Sequence, residues 1–388
     1  MEKRVIYADH AATTRMFDSA SEIMMRYLTA DYGNPSSAYS LGRTARRAVE
    51  TARDQAAQFL ECENREIFFT SGGTESDNWA LRGCMEALRK KGKTHLITSS
   101  FEHYAVLNTC RDLEQKGFSV TYLSPTSEGY LLPQQVEQAI RPDTGMVSIM
   151  YANNEIGTIQ PVEEIGAVCR SRSVYFHTDA VQAAGSVPIQ VHRQQIDLLS
   201  LSAHKIHGPK GAGLLFVRNG VPIEPLIYGG EQQRGFRPGT ENVAAIAGFG
   251  AALEQTQEHM EENAQTVKAL RDELIDRLLQ IPGSHLNGAR DPRLCGNVNV
   301  SFEGIEGEAL LLMMDLQGIC VSSGSACTTG NEQPSHVLRQ LGLSAELAKG
   351  SVRITLGEEN TREEVERIAE ACREIVQKLR QMRFGIGK

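Results

Sequence analysis

Long apolar runs, a basic charge excess and closely spaced cysteine pairs are all missing from this 388-residue sequence. Its purest apolar run, 309–314, has six residues, whereas a helix that crosses a membrane needs about 20. The first residues carry Glu2, Lys3, Arg4 and Asp9 and contain no apolar stretch of signal-peptide length. We therefore expect a cytoplasmic protein without membrane contacts.

The charge balance disfavours a nucleic-acid-binding protein. Lysine and arginine total 40 against 48 aspartate and glutamate residues, which gives a net charge of −8. Proteins that bind nucleic-acid phosphates directly carry basic patches and often a basic excess, so we expect no direct nucleic-acid contact. At ~100–200 residues per domain, the length suggests about two or three domains, each able to bury a core without disulfides.

Eight cysteines are scattered along the chain without the C-x-x-C spacing of zinc or redox sites. The two nearest in sequence, Cys320 and Cys327, are seven positions apart. Without a signal peptide, we expect reduced thiols and no metal site. Most should be small buried apolar residues, including Cys169 and Cys372, which lie in helical patterns. Cys327 differs, because its neighbours between 322 and 330 are small and polar.

Strands and helices alternate through the first part of the chain. Short β-branched or aromatic runs predict strands at 67–70, 94–98, 119–123, 146–151, 174–177, 197–202 and 213–217. Helical patterns fill most gaps, at 74–90, 104–116, 133–140 and 162–171. This alternation predicts an α/β fold whose mostly parallel sheet is covered by helices on both faces.

The pattern changes after Asn242. Residues 243–281 are nearly all helix formers and predict two helices, or one bent helix, that bridge two domains. Further on come strands at 297–302 and 351–356, a helix at 307–317, a Gly/Ser/Thr-rich stretch at 322–331 and a charged helix at 361–382. Thr361 and Glu364 form a capping-box pattern. We predict a large domain at 15–256 and a small α+β domain at 257–388 that includes the N-terminal arm, 1–14.

Two polar residues follow predicted strands. Lys205 comes after the strand at 197–202, and Asp179 comes after the strand at 174–177. Open α/β sheets bind ligands at these carboxyl ends. Alone, such a lysine is usually a surface residue and such an aspartate a helix N-cap. Together they match two polar requirements of pyridoxal phosphate (PLP) chemistry: a lysine that forms a Schiff base and an aspartate that keeps the pyridine nitrogen protonated.

A glycine pair follows the first predicted strand and precedes a helix. Gly72 and Gly73 would let backbone N–H groups approach an anion, which the helix dipole also favours. Such a turn is weak support by itself, because many strand-to-helix turns contain glycine. The turn has neither a Walker lysine nor a G-x-G-x-x-G pattern, so nothing here favours a nucleotide.

Ten short motifs occur in order along almost the whole chain. They are YADHAATT at 7–14, GNPSS at 33–37, SGGTES at 71–76, EH at 102–103, NNEIG at 153–157, HTDAVQ at 177–182, SAHK at 202–205, RPGTEN at 237–242, SSGSAC at 322–327 and VRIT at 352–355. In these motifs the sequence resembles the NifS-like cysteine desulfurases of the class V aminotransferase group. The resemblance implies a fold type I, PLP-dependent transferase with a seven-stranded sheet in its large domain.

The resemblance also implies roles around the cofactor ring. Lys205 would carry PLP covalently and, once displaced by substrate, would move the α-proton. Asp179 would keep the pyridine nitrogen protonated, and Gln182 would hydrogen-bond the phenolate oxygen. His103 would stack on the ring, although by itself it reads as a structural histidine at a helix start.

The phosphate and substrate sites are implied in the same way. The phosphate would be held by Gly73, Thr74, Ser202, His204 and, from the other subunit of a homodimer, Thr240. Asn154 would contact cofactor and substrate, and Arg353 would grip the α-carboxylate of L-cysteine through two hydrogen bonds. Without the resemblance, Arg353 would be interpreted as an ordinary ion-pair residue.

Cys327 distinguishes this activity from others in the group. By resemblance, its thiolate takes the sulfur of L-cysteine as a persulfide and leaves L-alanine. The stretch 322–334 matches the longer-loop branch of the family, which passes sulfur to several acceptors. The acceptor would be an iron–sulfur scaffold protein or a tRNA-thiolation protein, and Cys327 could serve as a transient cluster ligand there.

Two alternatives stay open. A selenocysteine lyase or another class V enzyme would share Lys205 and Asp179, so relative rates on cysteine and selenocysteine must separate them. A non-catalytic sulfur-relay subunit is the other alternative, and the intact set of Lys205, Asp179, His103 and Cys327 argues against it.

Overall fold

The computed structural model describes residues 5–323 and 334–385, so Cys327 lies outside the described residues. The first twelve elements of the chain cover the arm and most of a large α/β layer structure. They are β1 (Ile6–Tyr7), α1 (Asp18–Thr29), α2 (Ser40–Leu60), β2 (Ile67–Thr70), α3 (Gly73–Arg89), β3 (His95–Ser99), α4 (Tyr104–Gln115), β4 (Ser119–Leu123), α5 (Pro133–Ala139), β5 (Thr144–Ser148), α6 (Val162–Ser171) and β6 (Tyr175–Asp179).

The remaining elements complete this layer structure and add a second, smaller one. They are β7 (Leu198–Ser202), β8 (Gly213–Val217), α7 (Val243–Leu279), β9 (Ser284–Leu286), β10 (Asn297–Phe302), α8 (Gly307–Leu316), β11 (Ile319–Cys320), α9 (His336–Gln340), α10 (Ala345–Lys349), β12 (Ser351–Thr355) and α11 (Arg362–Gly385). None of the helices in the described ranges combines the length and apolar character that a bilayer crossing requires.

Seven strands form the central sheet in the order β2-β8-β7-β6-β5-β3-β4. The neighbouring strands from β7 to β4 are parallel, whereas β8 is antiparallel to both β2 and β7. The prediction of a mostly parallel seven-stranded sheet is therefore confirmed. Apolar side chains on its two faces pack into two separate buried clusters, as expected for strands that are covered on both sides.

Helix α7 is a single helix of 37 residues, so the two-helix alternative is wrong. Its first turns, up to Leu253, pack in the core of the large sheet, and its buried residues from Val267 to Leu278 belong to the small core. The polar middle stretch, 254–266, contains neither glycine nor proline, so the helix continues across it. The predicted domain boundary at 256/257 falls in this stretch and stays a prediction.

The small core surrounds an antiparallel three-stranded sheet in the order β12-β10-β9. Strand β1 pairs in parallel with β11, which attaches the N-terminal arm to this region. The capping box of α11 is confirmed: Glu364 N–H donates to Thr361 Oγ1 and Thr361 N–H donates to Glu364 Oε2, both at 3.3 Å. From β1 the arm continues to the carboxyl ends of β6 and β7, where the candidate site lies.

Candidate active site

Most of the predicted site residues line one cavity of about 700 Å³. Asp179 ends β6, Ser202 ends β7, and a short turn after Ser202 carries Lys205. The predicted residues that the cavity brings together are Gly73, Thr74, His103, Asn154, Asp179, Gln182, Ser202, His204, Lys205 and Arg353. Thr240 is exposed and does not line this cavity.

The N-terminal arm holds the lysine side of the cavity. Lys205 Nζ donates to the carbonyl oxygens of Ala11, at 2.6 Å, and Ala12, at 2.7 Å. Gln182 Nε2 also donates to the Ala11 carbonyl, at 3.0 Å. Thr13 contributes a hydroxyl group at 3.2 Å from His204 Nδ1. The position of the Lys205 amine therefore depends on the arm, which sequence reasoning had included only as part of a motif.

Asp179 is a buried carboxyl group that faces the cavity. One of its oxygens, Oδ1, accepts a hydrogen bond from Val181 N–H at 2.9 Å. Burial raises the pKa of Asp179, while the charges of His103 and Lys205 act to lower it. A buried carboxyl with one open side is suited to pair with a cationic ring nitrogen, because that nitrogen would supply the compensating charge.

His103 caps a helix and also lines the cavity. Its Nδ1 accepts a hydrogen bond from Ala105 N–H at 3.1 Å, so it is the N-cap of α4. The same ring lines the cavity. A side chain fixed at both its backbone and its ring nitrogen is well placed to present a flat face to a bound aromatic ring.

The start of α3 forms a tight cradle. Gly72 has φ of +150° and extended ψ, a conformation open mainly to glycine, and a Cβ atom on Gly73 would lie 2.7 Å from Val181 Cγ2. The first N–H groups of the helix therefore face the cavity without side chains in the way. Burial and the neighbouring charges of Lys205 and Lys210 lower the pKa of His204 to about 4, so this histidine is neutral.

Arg353 is a buried residue that also lines the cavity. Its Nη2 donates to Asp9 Oδ1 at 2.9 Å, and its Nη1 donates to the carbonyl oxygen of Asn154 at 3.2 Å. Its Nε has no hydrogen-bond partner among the described residues. Burial raises the pKa of Asp9, although Arg353 acts to lower it. Asp9 is a site residue that the sequence interpretation missed as an individual, although it lies in the motif at 7–14.

An ion pair connects α3 to the loop that carries Thr240. Arg237 donates to both carboxylate oxygens of Glu75, at 2.8 and 3.1 Å. Burial acts to raise the pKa of Glu75, but the hydrogen bonds from Arg237 and Ser71 hold it below its ordinary value. This loop is therefore fixed to the helix whose start forms the cradle.

The described cysteines behave as packing residues. Cys84, Cys110, Cys169 and Cys372 are buried, and Cys62, Cys295 and Cys320 are half-buried. Burial raises the pKa of all seven thiols. The expectation for Cys169 and Cys372 is confirmed.

The donor set fits PLP. A lysine amine, a buried carboxyl and a side-chain-free helix start lie in one cavity, and they match the aldehyde, the ring nitrogen and the phosphate of that cofactor. Fold and site together define a PLP-dependent enzyme with an α/β architecture.

The chain belongs to the class V aminotransferase family, whose model, "Aminotransferase class-V", matches residues 6–368. It is 53% identical to a protein named "Cysteine desulfurase IscS" from Methanosarcina thermophila, over 98% of this chain and 94% of the relative. A solved structure named "NIFS-LIKE PROTEIN" has a TM-score of 0.91 and 40% identity, over 97% of this chain and 100% of that one. Another, "SspA in complex with cysteine", has a TM-score of 0.81 and 38% identity, over 92% of this chain and 100% of that one.

Proposed function

We propose that this protein is a PLP-dependent cysteine desulfurase that converts L-cysteine to L-alanine and a persulfide on Cys327. The single cavity that holds Lys205, Asp179 and Arg353 carries the proposal, since it offers a cofactor site and a carboxylate site side by side. The names of its relatives, among them one solved with cysteine, support cysteine as the substrate.

The cofactor would be held at three points. Lys205 would provide the amine for its covalent attachment, Asp179 would pair with the ring nitrogen, and the first turn of α3 with Gly73 and Thr74 would receive the phosphate. Ser202 and His204 would add hydrogen-bond donors to the phosphate, Gln182 would hydrogen-bond the phenolate oxygen and His103 would pack on the ring. When bound, PLP supplies an electron sink that stabilises negative charge at the substrate α-carbon.

The chain's own residues bind and orient the substrate. The guanidinium group of Arg353, which lines the cavity, binds the α-carboxylate. Asn154 borders the same part of the cavity and touches Arg353 through its carbonyl oxygen. Once released from the cofactor, the Nζ of Lys205 takes the α-proton and later returns a proton to the product.

Sulfur transfer is assigned to Cys327. Its thiolate forms an S–S bond with the substrate sulfur as the substrate Cβ–S bond breaks. The electron pair of that bond stays on the carbon fragment, which takes up a proton and leaves as alanine. The raised thiol pKa of the seven described cysteines supports this assignment, because a thiol is a far weaker nucleophile than a thiolate.

The active enzyme is a homodimer in the cytoplasm, with Thr240 directed at the phosphate site of the partner subunit. The exposed apolar side chains Ile227, Tyr228 and Phe236 beside the Thr240 loop support an interface here. Cys327 then passes its sulfur to an iron–sulfur scaffold or a tRNA-thiolation protein and could serve as a transient cluster ligand in that complex.

The function is tested by product analysis. Purified protein loaded with PLP should convert L-cysteine to alanine and, with a thiol reductant, release equal amounts of sulfide. Rates on selenocysteine should be measured in parallel. Alanine production from selenocysteine alone would make the protein a selenocysteine lyase, and absence of alanine from both substrates would exclude the proposal.

A further inference from the structure

A second carboxyl group, that of Asp77 on α3, lies beneath Asp179. Asp77 is 1% exposed, and its carboxyl interacts with the carboxyl of Asp179. His177 Nε2 lies 3.7 Å from Asp77 Oδ1, and one side-chain N or O atom from each of Asp77, His103 and Asp179 lies within 4.8 Å of the other two. Burial lowers the pKa of His177 to about 3, so this imidazole is neutral. The nearby cations act on Asp179: the charges of His103 and Lys205 act to lower the pKa of Asp179, whereas burial and the charges of Asp179 and Glu102 raise the pKa of Asp77.

Hydrogen bonds link Ser148, His177, Ser200 and Asp77 in a chain. His177 Nδ1 lies 2.8 Å from Ser148 Oγ, and its Nε2 lies 3.1 Å from Ser200 Oγ. The Ser200 hydroxyl also interacts with Asp77. The Nε2–H tautomer of a neutral imidazole accommodates all these contacts: Ser148 donates to Nδ1, Nε2–H donates to Ser200, and Ser200 donates to Asp77. In this arrangement every hydrogen on the chain has an acceptor.

The contact between the carboxyl groups of Asp77 and Asp179 requires that one of them carries a proton. Two carboxylates repel each other, whereas a carboxylic acid can donate to a carboxylate. Asp179 already accepts from Val181 N–H and faces Lys205, which stabilises its ionised form. Asp77 Oδ1 has no hydrogen-bond partner in the described chain, which would be costly for an ionised group. The proton therefore resides on Asp77.

The other titratable groups around the pair agree with this assignment. Burial, followed by the charge of Asp179, raises the pKa of Asp77 well above its ordinary value. Glu102, before α4, is a third buried carboxyl, and burial raises its pKa to about 8. Its oxygens accept from the backbone N–H of Met150, at 3.0 and 3.1 Å. The groups that face the pair are His177 on β6, Glu102 and His103 before α4, and Lys205 after β7.

We propose that Asp77 is a positioning residue for Asp179: it keeps a proton and donates it in a hydrogen bond to Asp179, so that the pair presents one negative charge to the cofactor ring nitrogen. This inference rests on the PLP cofactor of the proposed function and not on cysteine as its substrate. Without the donor, Asp179 would itself take up a proton, and it would lose its attraction for the ring nitrogen.

The test uses two substitutions at Asp77 and a neighbouring control. Asp77→Asn resembles the protonated acid in shape, can donate to Asp179 and can accept from Ser200. Asp77→Leu has similar size but cannot donate. Thr178→Val, next to Asp179, removes a buried hydroxyl that has no hydrogen-bond partner in the described residues. Binding of PLP to each apoprotein should be unchanged in Asp77→Asn and Thr178→Val, and about tenfold weaker in Asp77→Leu.

Infrared spectra of the same apoproteins give a readout that a merely structural role would not change. The C=O stretch of a buried carboxylic acid should disappear in Asp77→Asn and persist in Thr178→Val, while Glu102→Gln and Glu155→Gln identify the bands of two other buried acids. The proposal is overturned if Asp77→Asn leaves the acid bands intact or binds PLP about tenfold more weakly, or if folded Asp77→Leu binds PLP normally. If Asp77→Leu does not fold, as judged by thermal melting, Asp77→Asn decides. Failure to convert cysteine would reject the proposed function and leave this result untouched.

Discussion

Arg353 and Asp9 form an ion pair at 2.9 Å although 344 positions separate them in the sequence. Arg353 lies on β12 of the small sheet, and Asp9 lies on the arm, where it bridges to Thr355 of the same strand. The second hydrogen bond of the guanidinium group, to the Asn154 carbonyl, reaches the large α/β region. The substrate side of the cavity is thus assembled from three distant parts of the chain.

Asp9→Asn should raise the KM for cysteine about tenfold and change kcat less. The substitution removes the negative charge that orients the guanidinium group of Arg353 toward the substrate carboxylate. Steady-state kinetics of alanine formation measure this split. Glu359→Gln is the matched control, since Glu359 pairs with exposed Arg15 at 3.2 Å, and such surface pairs contribute little. A lower KM in Asp9→Asn would mean that Asp9 competes with the substrate carboxylate for Arg353 and does not orient the guanidinium group for binding.

Lys205→Ala should abolish covalent cofactor attachment and turnover. Its amine is held at the cavity by Ala11 and Ala12, whereas Lys210, which also lines the cavity, is the obvious rival. After borohydride reduction and denaturation, wild-type protein and Lys210→Ala should retain the cofactor chromophore, and Lys205→Ala should lose it. Retention by Lys205→Ala would assign the attachment to another lysine.

Features that depend on residues close in sequence could be predicted better than features that depend on contacts between distant parts of the chain. The α11 capping box and the bounds of β2, β4 and β8 could be predicted because they depend on residues close in sequence. Asp77 and Asp9 were not predicted as individual site residues. Asp77 looks like one of several polar residues on α3 until β6 and β7 bring His177, Asp179 and Ser200 against it. The sequence also did not decide whether α7 is one helix or two, because its polar middle stretch lacks the spacing of apolar residues that marks a helix.

Glu155→Gln should stabilise the fold increasingly as the pH rises. Burial raises the pKa of Glu155 to about 7, while its oxygen still accepts from the Ser335 hydroxyl. Between an ordinary glutamate value and pH 7, the unfolded chain releases a proton that the folded chain retains. The folded state therefore loses relative stability as the pH rises through this window, and glutamine removes that loss.

Thermal melting of the apoprotein at pH 5, 6, 7 and 8 measures the effect. The Tm difference between Glu155→Gln and wild type should be small at pH 5, grow to a few degrees by pH 7 and then level off. Exposed Glu258→Gln on α7 is the control and should give a pH-independent difference. A constant difference for Glu155→Gln would mean that Glu155 is ionised in the folded state throughout.

Composite active sites predict complementation between inactive variants. Thr240→Glu would place a negative charge against the phosphate in the partner subunit and should prevent PLP binding there. Mixed with Lys205→Ala, it forms hybrid dimers with one doubly altered site and one intact site. After subunit exchange, an equal mixture should recover about a quarter of wild-type activity. If Thr240 acts within its own subunit, no activity returns, and a fully active monomer on dilution would exclude the dimer altogether.

Cys327→Ser should separate the two halves of the reaction. The variant should bind PLP and cysteine normally, because Lys205, Asp179 and Arg353 are unchanged, and its cofactor spectrum should still respond to cysteine. Sulfide release should fall by about a hundredfold or more, since a hydroxyl group is a far poorer nucleophile toward sulfur than a thiolate. Cys320→Ser, at a half-buried position on β11, should keep most of the activity.

Melting temperatures of both cysteine variants decide between a nucleophile and a packing residue at position 327. A nucleophile predicts lost sulfide release at an unchanged Tm, because a thiol whose role is chemical contributes no packing to the core. A packing residue predicts the reverse, a lower Tm with nearly normal turnover, as expected for the buried thiol of Cys372. Near-wild-type sulfide release from Cys327→Ser would remove Cys327 from the mechanism and leave a PLP enzyme that breaks the Cβ–S bond without a protein persulfide.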